Sequence, residues 1–329
     1  MSEKVLVIGS NSFSGSSFIS HLLLKGYSVF ACSRSEEKNK CFLPYKWVKG
    51  KSVSFYKYDM NSDINEILEL INDEKIQYIV NFAAQSMVGE SWDNPGDWFQ
   101  TNAVALANLV SALKSYKILK RYVHVTTPEV YGNCEGFILE DYPINPSTPY
   151  ASSRVASDLI MKNYFDEYRF PYVATRAANV YGPGQQLYRI IPKAIVSILL
   201  NKKIPLHGNG VSTRSFIHMN DVSEATEVLM QSGNCGETYH ISTDEIISIN
   251  DLVKKICMKL KVDFDDAVEV FPERAGKDAT YQLSSQKLKQ SFGWYNMTSL
   301  DSGLDQTIDW VKNNFEELKK SNMEYIHKK

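Results

Sequence analysis

The chain has 329 residues, 43% hydrophobic and 22% charged, with a formal net charge of −2. That length suits one large domain or two closely joined ones, and the composition is that of a globular protein with a sizeable core. The near-neutral charge gives no general electrostatic case for nucleic acid or a membrane as partner, and the longest apolar stretch, near 194–200, is far too short to span a bilayer.

Val5-Leu6-Val7-Ile8 is a short apolar run ending in Gly9, and predicts a buried parallel strand. Phe18, Ile19, Leu22 and Leu23 have helical spacing, and Gly26 is a stop signal. Val29–Cys32 reads as the next strand, and strand-like runs recur at Val53–Tyr58, Tyr78–Phe82, Tyr122–Val125 and Tyr172–Thr175. Helical patterns lie between them, notably Ile64–Ile71 and Ala103–Leu113. This alternation predicts an α/β protein built on a Rossmann-like, doubly wound parallel sheet. After Arg176 the rhythm breaks: Gly182-Pro183-Gly184 is a turn, followed by a helical run Ile190–Leu200 and a strand-turn segment Pro205–Phe216. The expected division is a dinucleotide-binding domain over 1–178, with 217–243 returning to it, and a smaller C-terminal α/β substrate domain over 179–329. The N-terminus runs straight into a strand, so no signal peptide is expected. Five scattered cysteines, Cys32, Cys41, Cys134, Cys235 and Cys257, suit a reducing cytoplasm. The six histidines show no metal-ligand spacing beside a carboxylate or cysteine.

Gly9-Ser10-Asn11-Ser12-Phe13-Ser14-Gly15 lies between a strand and a helix, where glycines let a pyrophosphate approach the helix N-terminus. Ser12 stands at the middle glycine of the usual Gly-x-x-Gly-x-x-Gly pattern, and its hydroxyl could donate to phosphate. At the end of the second strand Ser33-Arg34-Ser35 replaces the acidic residue that would hold a ribose 2′-hydroxyl. A hydroxyl and a guanidinium suit a 2′-phosphate, which favours NADP over NAD. Thr127 and Glu129 then sit two apart after an apolar run, and Tyr150 and Arg154 four apart, on one face if Tyr150 opens a helix. A fixed cation there is expected to lower the phenol's pKa; reaching neutral pH from the usual value near 10 takes about 4 kcal/mol.

Thr127-Pro128-Glu129 followed by Tyr150-Ala151-Ser152-Ser153-Arg154 resembles the extended short-chain dehydrogenase/reductase family, and its Thr-x-Glu form resembles the nucleotide-sugar 4,6-dehydratase branch. The chain departs from that branch at Pro128, where Asp or Ser is usual, and at Arg154, where Lys is usual. The resemblance covers residues 4 to 310 and implies a nicotinamide cofactor, a nucleotide-diphosphate sugar as substrate and a homodimer or higher homo-oligomer. It implies that Asp59, Met60, Ala83 and Ala84 meet the cofactor with Gly9, Ser12, Phe13, Ser14, Gly15, Ser33 and Arg34. Tyr150 and Arg154 would face the nicotinamide ribose. Gln85, Ser86, Asn179, Arg189, Arg214 and Arg274 would bind the substrate. The implied reaction oxidises C4, eliminates water across C5 and C6 with Glu129 as base, and returns hydride to C6. A 4-epimerase or a decarboxylase of the same family, or a binding protein with a decayed site, remain alternatives.

Overall fold

A computed structural model describes residues 2–272 and 281–327 of the chain. The first half alternates as expected: β1 (Lys4–Ile8), α1 (Phe13–Lys25), β2 (Ser28–Ser33), β3 (Ser54–Lys57), α2 (Ile64–Asp73), β4 (Tyr78–Asn81), α3 (Pro95–Phe99), α4 (Leu106–Leu113) and β5 (Arg121–Val125). Next come β6 (Phe137–Ile138), α5 (Pro149–Tyr168), β7 (Tyr172–Ala177), β8 (Asn179–Tyr181), α6 (Ile190–Leu199), β9 (Ile204–His207), β10 (Thr213–Arg214) and β11 (Phe216–His218). The chain continues through α7 (Met219–Ser232), β12 (Thr238–Ile241), β13 (Ile247–Ser248), α8 (Ile249–Leu260), α9 (Phe264–Ala267) and β14 (Val268–Phe271). It closes with β15 (Gln282–Leu283), α10 (Gln286–Phe292), α11 (Leu300–Asn313) and α12 (Phe315–Leu318).

Seven strands form one sheet in the order β12-β7-β5-β4-β1-β2-β3, every pairing parallel. Its central strands are apolar runs because both faces are covered. On one face α1 and α7 bury Phe18, Ile19, Leu22, Val222, Ala225 and Leu229. On the other, α2, α4 and α5 bury Ile67, Ile71, Leu109, Val110 and Met161. The remaining strands pair two by two, and a third core lies among α6, α8 and α11 around Ile195, Leu252, Ile256 and Leu304. No helix among the described residues is long and apolar enough to cross a membrane.

The helical pattern expected to begin at Ala103 begins at Pro95. Between α3 and α4, Gln100–Ala105 take one wide π-helical turn, so the rod continues with a bulge. Local apolar spacing does not reveal such a bulge, because one inserted residue leaves the flanking periodicities intact.

Helix α5 is tied to the sheet by a buried ion network. Arg176 on β7 donates to Asp158 on α5 at 2.8 Å, and His124 on β5 lies 3.2 Å from the same carboxylate. Arg176 also donates to the Tyr131 hydroxyl, which lies 2.7 Å from His240 Nε2 on β12. Burial alone pushes the Asp158 carboxyl up, but the His124 hydrogen bond and the Arg176 charge outweigh it and hold the pKa at about 2. A pKa below its unfolded value means that this network stabilises the fold fully above the ordinary carboxylate range and is lost as pH falls toward 2. Asp158→Ala, which leaves Arg176 buried without its partner, is expected to cost about 3–5 kcal/mol in chemical denaturation at neutral pH. A change within experimental error would overturn the assignment.

Candidate active site

A crevice is expected where the strand order reverses, between the C-terminal ends of β1 and β4. There the chain packs backbone on backbone. A Cβ added to Gly9 (φ 84°) would lie 2.6 Å from the Ala83 nitrogen, and one on Gly15 would lie 2.4 Å from the Gly9 carbonyl oxygen. No side chain fits at either position. Ser12 behaves differently from its sequence expectation. Its hydroxyl accepts from the Gly15 N–H at 3.0 Å and donates to the Gly9 carbonyl at 2.7 Å. It is the N-cap of α1, so its one proton is committed inside the loop rather than offered to phosphate.

Phe13 is buried in the core beneath the loop, while Ser14 is half-buried. Asn11, which the motif reading did not single out, donates from Nδ2 to the Ser35 carbonyl at 2.8 Å and the Glu36 carbonyl at 2.9 Å. It thereby fixes the loop after β2, which carries buried Ser33 and half-buried Arg34, against the glycine loop. Ser10 Oγ and Asn11 Oδ1 are buried without a hydrogen-bond partner among the described residues. The Ser10 hydroxyl can donate, so at the mouth of a helix N-terminus it fits an anionic ligand such as the phosphates of a dinucleotide, whereas Asn11 Oδ1 can only accept. Asp59 accepts from the Asn61 backbone at 2.9 Å, and Met60 beside it is buried.

The segment after β4 is held from the side. The Ala83 N–H donates to Asn81 Oδ1 at 2.9 Å. Gln85 is buried, and its backbone N–H and carbonyl both pair with the Asn102 side chain, each at 2.9 Å. Asn102 sits in the π-helical bulge and also donates to Ser153 Oγ at 2.9 Å. One amide thus links the Gln85 backbone to the first turns of α5. Ala83 and Ala84 are half-buried and Ser86 is exposed.

Thr127, Glu129, Tyr150 and Arg154 come together in one buried corner, each less than a tenth exposed. Thr127 ends the extension of β5 and accepts from the Glu129 N–H at 3.2 Å, capping a tight 3-10 turn from Pro128 to Tyr131. Pro128 is the first residue of that turn, where its fixed φ is preorganised and its missing N–H is not needed. Thr148 caps α5 through the Ala151 N–H at 3.1 Å, so Tyr150 lies in the first turn and Arg154 one turn on. Thr127 hydrogen-bonds the Tyr150 phenol.

Burial is the largest influence on that phenol and raises its pKa. The Arg154 charge, the Thr127 hydrogen bond and the Arg189 charge lower it, the Glu129 charge raises it, and the net shift is upward. Arg154 pulls in the direction the sequence predicted but does not prevail, because the site removes the phenolate from water. Arg154 is itself buried and donates from Nη2 to the Val125 carbonyl, so part of its fork holds the end of β5.

The substrate-side residues divide. Arg189 is exposed just before α6, lies 5.4 Å from the Tyr188 ring and acts electrostatically on Tyr150. Asn179 on β8 donates to the Ser215 carbonyl at 3.4 Å, and Arg214 on β10 to the Thr213 carbonyl at 2.8 Å. Arg274 lies outside the described residues.

The family model for GDP-mannose 4,6 dehydratase matches residues 6–307. A human dTDP-D-glucose 4,6-dehydratase is 30% identical over 95% of this chain and 91% of its own length. A trifunctional UDP-glucose 4,6-dehydratase/epimerase/reductase from Arabidopsis thaliana is also 30% identical over 95% of this chain, which spans only 47% of that enzyme. The dTDP-glucose 4,6-dehydratase DesIV from Streptomyces venezuelae, solved with NAD and TYD bound, superposes with a TM-score of 0.88 at 27% identity, over 96% of this chain and 99% of DesIV. The chain belongs to the nucleotide-sugar 4,6-dehydratase family, within the extended short-chain dehydrogenase/reductases. The role of Ser12 separates experimentally: Ser12→Ala should lower stability by about 1 kcal/mol and Ser12→Gly by only a few tenths. Dinucleotide affinity, measured by fluorescence titration, should change little in Ser12→Gly; a large loss there would restore Ser12 as a phosphate donor.

Proposed function

We propose that this member of the family is a nucleotide-sugar 4,6-dehydratase that converts a nucleoside-diphosphate hexose to its 4-keto-6-deoxy form. The observation that carries the reading is the meeting of Thr127, Glu129 and Tyr150 in one buried corner. A bound nicotinamide dinucleotide supplies a hydride acceptor for C4 and later a donor for C6. Gly9, Gly15 and the N-terminus of α1 would hold its pyrophosphate, with Ala83 and Ala84 against its other side. Tyr150 takes the proton of the sugar 4-hydroxyl, and Thr127 orients that oxygen. The resulting 4-ketone acidifies the C5 hydrogen, which the Glu129 carboxylate removes. Pro128 has no proton to give, so Glu129, now protonated, hands that same proton to the oxygen leaving C6, and water departs. As hydride returns to C6, C5 takes a new proton from solvent by way of the Glu129 carboxyl, and Tyr150 releases the proton of the 4-hydroxyl to solvent. Asn179, Arg189, Arg214 and Arg274 are the proposed diphosphate residues, with Gln85 and Ser86 at the sugar.

We assign 1–178 with 217–243 to the dinucleotide-binding part and 179–329 to the substrate part. Five free cysteines support a cytoplasmic setting, and exposed Val104 and Leu159, on neighbouring helical segments, support a homodimer. Among cofactors we propose NADP over NAD, because Arg34 follows β2 where a carboxylate would repel a 2′-phosphate.

A panel of nucleotide sugars read by product mass tests the reading: loss of one water is expected. In deuterated water the product should carry deuterium at C5, and Glu129→Gln should lose that uptake. Tyr150→Phe should lose turnover while retaining sugar-nucleotide binding. Loss of carbon dioxide, or no change in mass, would overturn the assignment. For the cofactor, Arg34→Ala should weaken NADPH binding by about tenfold or more and leave NADH nearly unchanged. Tighter binding of NADH by the unmutated chain would reverse the preference.

A further inference from the structure

Residues 321–327 follow α12 without regular secondary structure, yet their burial alternates strictly. Ser321, Met323, Tyr325 and His327 are half-buried, while Asn322, Glu324 and Ile326 are exposed. That is the pattern of an extended segment laid along a surface. Its contacts reach both halves of the molecule. Met323 packs against the core of α6, α8 and α11. Glu324 pairs with Lys193 of α6 at 2.7 Å, and Tyr325 meets Tyr188 edge-on with ring centres 5.5 Å apart. His327 Nε2 lies 2.8 Å from Asp97 Oδ2 on α3, and its ring stacks on Trp98 at 4.9 Å.

Tyr188 and Lys193 flank Arg189 on the proposed substrate side, whereas Asp97 and Trp98 follow the segment that carries Gln85 and Ser86. The electrostatic surroundings of Tyr325 trace the same path. Burial is the largest influence on its phenol, followed by Tyr188, Glu90, Arg34 and Arg189. Tyr325 therefore feels the charge of both the cation proposed for the cofactor and the cation that acts on Tyr150.

We propose that residues 321–327 are a strap forming the outer wall of the ligand cleft, and that Tyr325 is a binding residue for the nucleoside diphosphate shared by dinucleotide and sugar nucleotide. The inference rests on the dehydratase reading for the location of the cleft. The anchors are few, namely the Glu324–Lys193 ion pair, the Tyr188 edge, the His327 contacts with Asp97 and Trp98, and Met323, so the strap opens without unfolding the body. Closed, it slows ligand departure, and ligand exchange requires it to lift.

The test uses the full chain loaded with NADPH, whose release is followed by fluorescence after dilution into excess NADP, together with UDP and dTDP affinity by calorimetry. Tyr325→Ala and His327→Ala should each speed NADPH release or weaken nucleoside-diphosphate binding by about tenfold. Ile326→Ala, on the outward face, should match the unmutated chain. An effect on NADPH alone places the strap over the cofactor, and an effect on UDP or dTDP alone places it over the sugar nucleotide. Unchanged values in both variants, or an equal effect from Ile326→Ala, would overturn the proposal. Because neither readout needs turnover, failure to find a dehydratase product sinks the catalytic reading and leaves the strap standing. A chain that binds neither dinucleotide nor nucleoside diphosphate sinks both.

Discussion

Asp158 lies on α5 two turns beyond Tyr150 and accepts from Arg176 on β7, with His124 on β5 alongside. A carboxylate held this way, its pKa near 2 despite burial, fixes the long helix to two adjacent strands of the sheet. The site depends on that fixation. Thr127 and Glu129 come from the end of β5, Tyr150 and Arg154 from α5, and they meet only if helix and strand keep one relative position. Arg154 adds a second tie through the Val125 carbonyl. Asn102 supplies a third by joining Ser153 to the backbone of Gln85. Isolated buried ion pairs are weak evidence for stability. Their value here is geometric, since they choose one register of α5 over its neighbours.

The same burial that orders the corner works against its chemistry. The Tyr150 phenol is pushed above its ordinary value by removal from water, and Arg154, Thr127 and Arg189 only partly reverse this. A cationic ring bound beside the phenol would pull in the same direction as Arg154. In the proposed reaction a bound cofactor would thus add to the Arg154 and Arg189 charges in favouring the phenolate. Arginine in place of lysine fits this balance, because its charge is permanent at any degree of burial, while its fork can serve the backbone of β5 at the same time.

Much of the architecture is legible in the sequence, because parallel strands covered on both faces must be short apolar runs and their helices must carry one apolar face. The series Thr127, Glu129, Tyr150 and Arg154 is legible for a similar reason: its members lie close in sequence, on two elements whose types are readable. What escapes the sequence is set by pairs far apart in the chain. Asn11 is an unremarkable loop residue until β2 brings Ser35 and Glu36 beside it. Asn102 owes its place to a π-helical bulge that leaves the apolar spacing intact. Ser12 looks like a phosphate ligand because the motif has glycine there, yet a serine preceding a helix is first of all an N-cap. The alternation at 321–327 is plain in burial and invisible in composition, since Met323, Tyr325 and His327 share no single chemical type.

Pro128 is where local folding and chemistry constrain each other most tightly. An acidic residue at that position would be a second proton carrier, and its side chain would have to find room beside Glu129 in a corner already less than a tenth exposed. Proline gives up the carrier and gains a turn whose first φ is fixed before any ligand arrives, with Thr127 capping it and Glu129 directly after. A carboxylate so positioned need not exchange its proton with solvent. In the proposed mechanism, the proton removed from C5 would stay on this carboxyl until the C6 oxygen takes it. A single carboxylate can therefore serve as base and then as acid, provided C5 and C6 present their hydrogen and hydroxyl to it in turn. In the proposed mechanism, a proline here would confine elimination to one face and tie its rate to how rigidly this turn is held.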